Sequence, residues 1–293
     1  MAPPFQTIAL IGKPDAERIS ETLSRIHRHL SESGYRVLVE RQCANRIPGA
    51  LAGCSFEEIG ESCEVAIVVG GDGTLLTTAR SLIAFDIPLI GVNLGRLGFL
   101  VDISPEQALG QIDAILAGNF QLEERPLLRT RVWRAGVVIH DQVSVNEVVI
   151  HSWNATSMIE IETCIDGVFL NSQRSDGLIV STPTGSTAYA LSAGGPILHP
   201  ALSALVLAPI NPHTLTNRPI VIRGKSMIEI AFRPSKQAGA QVVCDNVPLA
   251  DIATSDRLTI CQHERPFRLL HPVDHDFFAI LRSKLNWSTG NRN

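Results

Sequence analysis

The chain has 293 residues, enough for one large or two medium domains, and its 45% hydrophobic and 18% charged residues are ordinary for a soluble globular protein. A net charge of −4 and a pI near 6.1 exclude the broad basic footprint expected if nucleic acid or an anionic membrane were the main partner. The six cysteines (Cys43, Cys54, Cys63, Cys164, Cys244, Cys261) show no C-x-x-C spacing, so neither a zinc site nor a disulfide framework is expected, and reduced thiols in a cytosol fit.

The amino terminus, Met1-Ala2-Pro3-Pro4-Phe5, carries no signal-like pattern, and no apolar run approaches the roughly 18 residues that span a bilayer. A cytoplasmic location is expected. Thr7 to Gly12 (TIALIG) reads as a first strand, and Pro14 to Ser31 as an amphipathic helix with Ile19, Leu23, Ile26 and Leu30 on one face, closed by Gly34. Tyr35 to Glu40 is a second strand, and a looser helical region runs to about Ser62. Val65 to Val69 is a third strand, continuous rather than alternating in its apolar residues, as in a parallel sheet covered on both faces.

That third strand runs into Gly70-Gly71-Asp72-Gly73-Thr74. Residues without a Cβ permit a tight turn and close approach of a ligand, and the helix expected over Leu75 to Ala84 offers free N–H groups to phosphate. Asp72 is the odd residue, since a carboxylate repels phosphate. Either it caps the helix through its side-chain oxygen, or it binds a hydroxyl or a metal ion, or it takes a proton. The stretch fits neither a P-loop nor G-x-G-x-x-G spacing.

Ile87 to Val92 is a fourth strand, leading to Asn93-Leu94-Gly95-Arg96-Leu97-Gly98-Phe99, and Ser104-Pro105-Glu106 opens a helix that runs to about Ala117. Strands alternating with helix-length segments imply βαβ crossovers and a parallel, Rossmann-like sheet whose ligand crevice lies beyond the carboxyl ends of the strands. From Glu123 to about Arg268 the pattern becomes short β-rich runs, several alternating, such as Met158-Ile159-Glu160-Ile161-Glu162. The expected fold is therefore α/β plus β: an amino-terminal parallel α/β domain over 1–122, a carboxyl-terminal β-rich two-sheet domain over 123–274, and a final helix (Asp276 to Trp287) within 275–293 that returns to the first domain. Ser288 to Asn293 reads as a frayed tail.

One stretch interrupts the β-rich part, from Gln173 to Pro196, rich in small hydroxyl residues and glycines and nearly uncharged past Asp176. Small side chains admit a flat base or a phosphate to the backbone, and hydroxyls supply hydrogen bonds without charge. With GGDGT at 70–74, GVNLGRLGFL at 91–100, Asn146-Glu147 in VNEVV, SDGLIVSTPTGSTAYALSAGGPILHP at 175–200 and HPVDHDFFAILRSKLNW near the end, the sequence resembles the NAD kinase family over nearly its whole length. GGDGT alone is shared with related lipid and sugar kinases, and the TPTGSTAY stretch discriminates against those.

The resemblance implies transfer of the γ-phosphoryl group of ATP, or in some members of inorganic polyphosphate, to the 2′-hydroxyl of the adenosine ribose of NAD. It implies Mg²⁺ arriving with ATP and a homodimer or homotetramer; no metal-binding residues are expected, and the charge argues against nucleic acid or membrane as partner. By the same resemblance Asp72 matches the proposed base and hydroxyl-binding residue, and Gly70, Gly71, Gly73 and Thr74 form the phosphate loop, with Gly73 letting its backbone approach the substrate. Asn146 and Glu147 match the pair that hydrogen-bonds the dinucleotide, and Asp176 the acidic residue facing its second half. Thr187, Ala188, Tyr189, Ala190, Leu191 and Ser192 match the adenine pocket, with Tyr189 as a stacking surface. Arg174 would neutralise phosphate, or else pair with Asp176. The chain departs from many relatives at Asn246-Val247, where they carry a glycine or serine and then a glutamine. The nine histidines show no ligand spacing and are read as structural.

Overall fold

The computed structural model describes residues 5–12, 17–47, 53–95, 97–153, 157–233 and 239–287. The chain begins as β1 (Thr7–Gly12), α1 (Glu17–Glu32), β2 (Arg36–Val39), α2 (Arg41–Ala44), α3 (Phe56–Ser62), β3 (Val65–Val69), α4 (Asp72–Leu82), β4 (Leu89–Val92), α5 (Ala108–Leu116) and β5 (Gln121–Arg125). It continues as β6 (Leu128–Arg134), β7 (Val137–Ser144), β8 (Glu147–Ser152), β9 (Ile159–Ile165), β10 (Val168–Ser175), β11 (Gly177–Ser181) and the short α6 (Tyr189–Ser192). It ends as β12 (Ala204–Ile210), β13 (Ile220–Arg223), β14 (Ile228–Phe232), β15 (Ala240–Cys244), β16 (Val247–Pro248), β17 (Arg257–Gln262), β18 (Phe267–His271) and α7 (Phe277–Lys284). Two compact units result: one runs to Glu124 and resumes at Phe267, and the other is Arg125–Pro266.

The α/β unit is built on one six-stranded sheet in the order β2-β1-β3-β4-β18-β5, with β1, β2, β3, β4 and β18 paired in parallel. Every residue of β3 is fully buried, as its unbroken apolar run requires. In α1 the three- and four-residue spacing buries Ile19, Leu23, Ile26 and Leu30 completely, each worth roughly 1.5–3 kcal/mol relative to exposure before conformational entropy is subtracted. The chain passes from β1 outward to β2, then crosses back to β3 on the other side, so the order reverses between β1 and β3. A crevice opens beyond the carboxyl ends of strands at such a reversal.

Several boundaries differ from the sequence reading. Phe267–His271, expected in the β-rich part, is β18 of the parallel sheet, with Leu269 opposite Leu89. Four of its five residues are buried, the signature of a strand covered on both faces rather than of the alternating strands that precede it. The helix expected from Leu75 starts at Asp72, because Gly71 takes the extended N-cap position. The helix expected from Ser104 starts at Ala108, after a turn in which the Gln107 N–H reaches the Ser104 carbonyl at 3.2 Å. The start of the first expected helix (14–16) and the expected tail (288–293) lie outside the described residues.

The second unit is a sandwich of two six-stranded sheets, β10-β9-β14-β17-β6-β7 and β13-β12-β11-β8-β15-β16, antiparallel in every pairing. The alternating strands β9 and β14 send Ile159, Ile161, Ile228 and Ile230 inward to meet Val148, Ile150, Leu178 and Val180 of the other sheet. The central strands β8 and β11 are buried on their other face too. There Val149, Ile179, Val206 and Ala208 form a second cluster with Ala190 of α6 and Leu198.

Candidate active site

In the α/β unit, β3 delivers the glycine-rich turn at the chain reversal. Gly71 is the N-cap of α4 and supplies no capping side chain, so the first N–H groups of this eleven-residue helix are left for a ligand. A cavity of about 470 Å³ opens there, lined by Gly12 at the end of β1, Glu40 after β2, and Gly71, Gly73 and Thr74 of the turn. A Cβ added at Gly71 or Gly73 would meet nothing within 4 Å, so both backbones border open space. Gly70 instead packs on Thr74, whose Oγ1 would lie 2.6 Å from such a Cβ.

Asp72 does not cap its own helix. Its Oδ2 accepts the Phe99 N–H at 2.9 Å, and its Oδ1 accepts the N–H groups of Leu100 at 3.0 Å and Val101 at 3.3 Å. A carboxylate has about four acceptor positions, so three amides leave Oδ2 room for one more donor. The segment after β4 can close on Asp72 only because Gly98 has no side chain: a Cβ there would sit 2.1 Å from Asp72 Oδ1. Gly98 lies within the GVNLGRLGFL run that carried the resemblance, but its steric reason was not legible before the fold.

The sandwich unit holds a cavity of about 540 Å³, lined by Glu147, Asp176, Tyr189 and Asn246, which the sequence singled out, and by His151 and Asn211 among those it did not. Asn146 and Glu147 sit at the start of β8, held from behind by Asp245. That carboxylate accepts the N–H groups of Val145, Asn146 and Glu147 at 2.5, 2.8 and 3.1 Å. Asp245 and Asn246 form the β15–β16 turn with positive φ of 43° and 67°. Asparagine is among the few residues with a side chain that tolerate that conformation, so Asn246 suits the turn.

Glu147 is buried, and its Oε2 has no hydrogen-bond partner. Burial, reinforced by the Asp245 charge and opposed by the Tyr189 backbone N–H, pushes its carboxyl up to about 7. Asp176 pairs with Asn211 at 2.9 Å rather than with Arg174, whose side chain is exposed on β10 and outside the cavity lining. Tyr189 presents its ring, 45% exposed, to the cavity. Around Tyr189 lie the other residues of the expected adenine pocket. Ala190 turns into the apolar cluster, Thr187 donates its hydroxyl to the Thr184 carbonyl, and Ala188, Leu191 and Ser192 do not line the cavity. Gly185 is required nearby, since a Cβ there would lie 2.2 Å from the Asn146 carbonyl oxygen.

The histidines, read as structural, include one group the sequence did not reveal. Asp102, His271 and His275 are brought together in the α/β unit, the one cluster of three metal-type ligands among the described residues. Asp102 Oδ2 lies 2.9 Å from His271 Nδ1 and 2.6 Å from His275 Nδ1. Ligands on a tetrahedral zinc at about 2.0–2.1 Å would stand roughly 3.3 Å apart, so these contacts are hydrogen bonds.

Family models for the ATP-NAD kinase N-terminal and C-terminal domains match residues 8–120 and 145–272. An NAD kinase of Methylococcus capsulatus is 63% identical over 284 residues, covering 97% of this chain and 98% of the relative. One from Colwellia psychrerythraea is 45% identical over 288 residues, covering 98% of each. Among solved structures, an Archaeoglobus fulgidus NAD kinase in complex with ATP aligns with a TM-score of 0.73 at 26% identity, covering 96% of this chain and 99% of that one. Yeast NADH kinase complexed with NADH shares the fold, with a TM-score of 0.90 at 22% identity over all of this chain and 90% of that one. With both domain models matched in order and full-length relatives at this identity, the chain belongs to the ATP-NAD kinase family.

Proposed function

We infer that this chain transfers the γ-phosphoryl group of ATP to the 2′-hydroxyl of the adenosine ribose of NAD, giving NADP, with Asp72 receiving the hydroxyl proton. The observation that carries the role of Asp72 is its tethering by three amide N–H groups with one acceptor position left, at the open N-terminus of α4. In the step itself the 2′-oxygen forms a bond to the γ-phosphorus, the bond from that phosphorus to the β–γ bridging oxygen breaks, and the proton passes to Asp72. Such a base contributes about 10² to 10⁴ in rate. The remainder comes from positioning and charge neutralisation.

The unpartnered N–H groups of α4 and the cavity beside Gly71 and Gly73 support this end as the phosphate site. A divalent ion arriving with ATP fits the donor set, because the cavity offers hard oxygen ligands in the Glu40 carboxylate and the Thr74 and Thr77 hydroxyls. When bound, it supplies charge neutralisation for the phosphates. The sandwich cavity is read as the dinucleotide site: Glu147, Asp176 and Asn246 supply polar edges for ribose and base, and Tyr189 a stacking surface.

Six free cysteines support a reducing, cytoplasmic setting, and no helix among the described residues is long and apolar enough to cross a membrane. A subunit contact is supported by the β9–β10 hairpin, which exposes Val168, Phe169 and Leu170. The functional test is incubation with Mg·ATP and NAD under a coupled assay specific for NADP. Mg²⁺-dependent NADP formation is expected, and its absence with NAD still bound would turn the reading to a dinucleotide sensor.

A further inference from the structure

The amide groups that hold Asp72 belong to Phe99, Leu100 and Val101, and the next residue, Asp102, turns into a buried cluster of the same unit. There it meets His271 at the end of β18 and His275 just before α7, whose rings stack with centroids 3.8 Å apart. On its far side, His271 places Nε2 at 3.1 Å from Glu123 Oε2 of β5. The His271 side chain is 2% exposed, and Asp102 and Glu123 are 10% and 20% exposed.

An imidazole facing a carboxylate at each nitrogen satisfies both only when both nitrogens carry protons. The cluster therefore selects the imidazolium of His271. Burial works against that charge, but hydrogen bonds and charges from Asp102 and Glu123 outweigh it and raise the histidine. Burial likewise works to raise Asp102, and the two histidines outweigh it and bring that carboxyl down to about 2. Among the described residues, the titratable groups facing His271 are Asp102, Glu123 and the stacked His275. Removing its proton takes away the positive charge that lies between these two partly buried carboxylates, which is costly where solvent access is small.

We propose that His271 is a positioning residue for phosphoryl transfer: as an imidazolium between Asp102 and Glu123 it fixes residues 99–101 on Asp72, and loss of its proton as pH rises loosens that segment and lowers turnover. The inference rests on the reading of Asp72 as the group that receives the hydroxyl proton. His271 acts on it only through Asp102 and the chain that leads from it.

The test is the pH profile of kcat for the full chain at saturating Mg·ATP and NAD, in wild type, His271→Gln and Glu123→Gln. Wild type is expected to lose at least about fivefold in kcat on the alkaline side, and H271Q to be about tenfold slower throughout with no alkaline limb and an NAD KM within about twofold of wild type. In E123Q a neutral His271 can donate to Asp102 and accept from the glutamine amide, so kcat should match wild type near pH 6.5 and stay within about twofold of that value where wild type falls. H271Q with wild-type kcat and an unchanged alkaline limb would overturn the proposal. If H271Q does not fold, as judged by circular dichroism, E123Q decides alone, and the wild-type limb retained in it is equally fatal. Failure of the underlying reading shows separately, as a wild-type chain that forms no NADP or as an Asp72→Asn variant of undiminished turnover.

Discussion

The Asp245 carboxylate accepts the Glu147 amide N–H at 3.1 Å, and its negative charge, added to burial, holds the Glu147 carboxyl near 7 rather than at the ordinary 4.5. For a carboxyl whose folded value is raised, the unfolded chain ionises first. Stability therefore falls as pH rises from about 4.5 to about 7 and stays lower above that, by at most about 3 kcal/mol for a shift of this size. Glu147→Gln should accordingly raise the melting temperature more at pH 8 than at pH 5. Equal shifts at the two pH values in thermal unfolding would contradict the buried, unpartnered carboxyl.

Asp245 is not itself among the residues that line the cavity, yet it fixes the backbone of Asn146 and Glu147. Asp245→Asn keeps one acceptor oxygen but loses charge-assisted bonds worth about 1.5–3 kcal/mol each, so the NAD KM should rise about tenfold or more while the ATP KM moves less than about twofold. Gly185→Ala should act in the same direction, because its Cβ would lie 2.2 Å from the Asn146 carbonyl oxygen, a backbone atom that cannot swing away. Steady-state kinetics with each substrate varied separates the two KM values.

Gly98→Ala probes the other unit. Its Cβ would stand 2.1 Å from Asp72 Oδ1 and 2.5 Å from Val101 Cγ2, forcing the carboxylate off the amides that aim it. A displacement of this size near the reacting atoms costs on the order of 10²-fold in kcat, with the NAD KM little changed. A variant with wild-type kcat would mean that the tethering of Asp72 has no catalytic consequence.

The His271 cluster also leaves a mark on stability. A histidine raised in the folded state contributes stability that is fully present below its ordinary 6.5 and is lost as pH rises through the raised value. The wild-type melting temperature should therefore decline as pH rises above about 6.5, and the decline should be smaller in Glu123→Gln, where Asp102 alone still raises the histidine. Differential scanning calorimetry at a series of pH values reads this directly.

Much of the molecule was legible from local pattern. The unbroken apolar run of β3 announced a strand covered on both faces, and the glycines after it the open turn. Glu147, Asp176 and Tyr189 were singled out by their motifs, and the fold brings the three to one cavity. What was hidden depends on partners distant in sequence. Asp72 meets residues 27 to 29 positions away, and Asp245 binds amides about 100 positions away. His271 and Asp102 are 169 residues apart, so no spacing could show the buried pair. The boundary error at β18 has a similar origin: a short apolar run reads alike in either kind of sheet, and only the pairing with β4 assigns it.

The most direct test of the account is Asp72→Asn, measured for turnover and for NAD binding by calorimetry on the same preparation. The substitution nearly preserves shape but sets an amide NH₂ against backbone N–H donors and removes the proton acceptor. Turnover should fall by about 10²- to 10⁴-fold while NAD binding stays within about threefold of wild type. An Asp72→Asn variant that folds, binds NAD and forms NADP at the wild-type rate would contradict the assignment of Asp72 as the group that receives the proton.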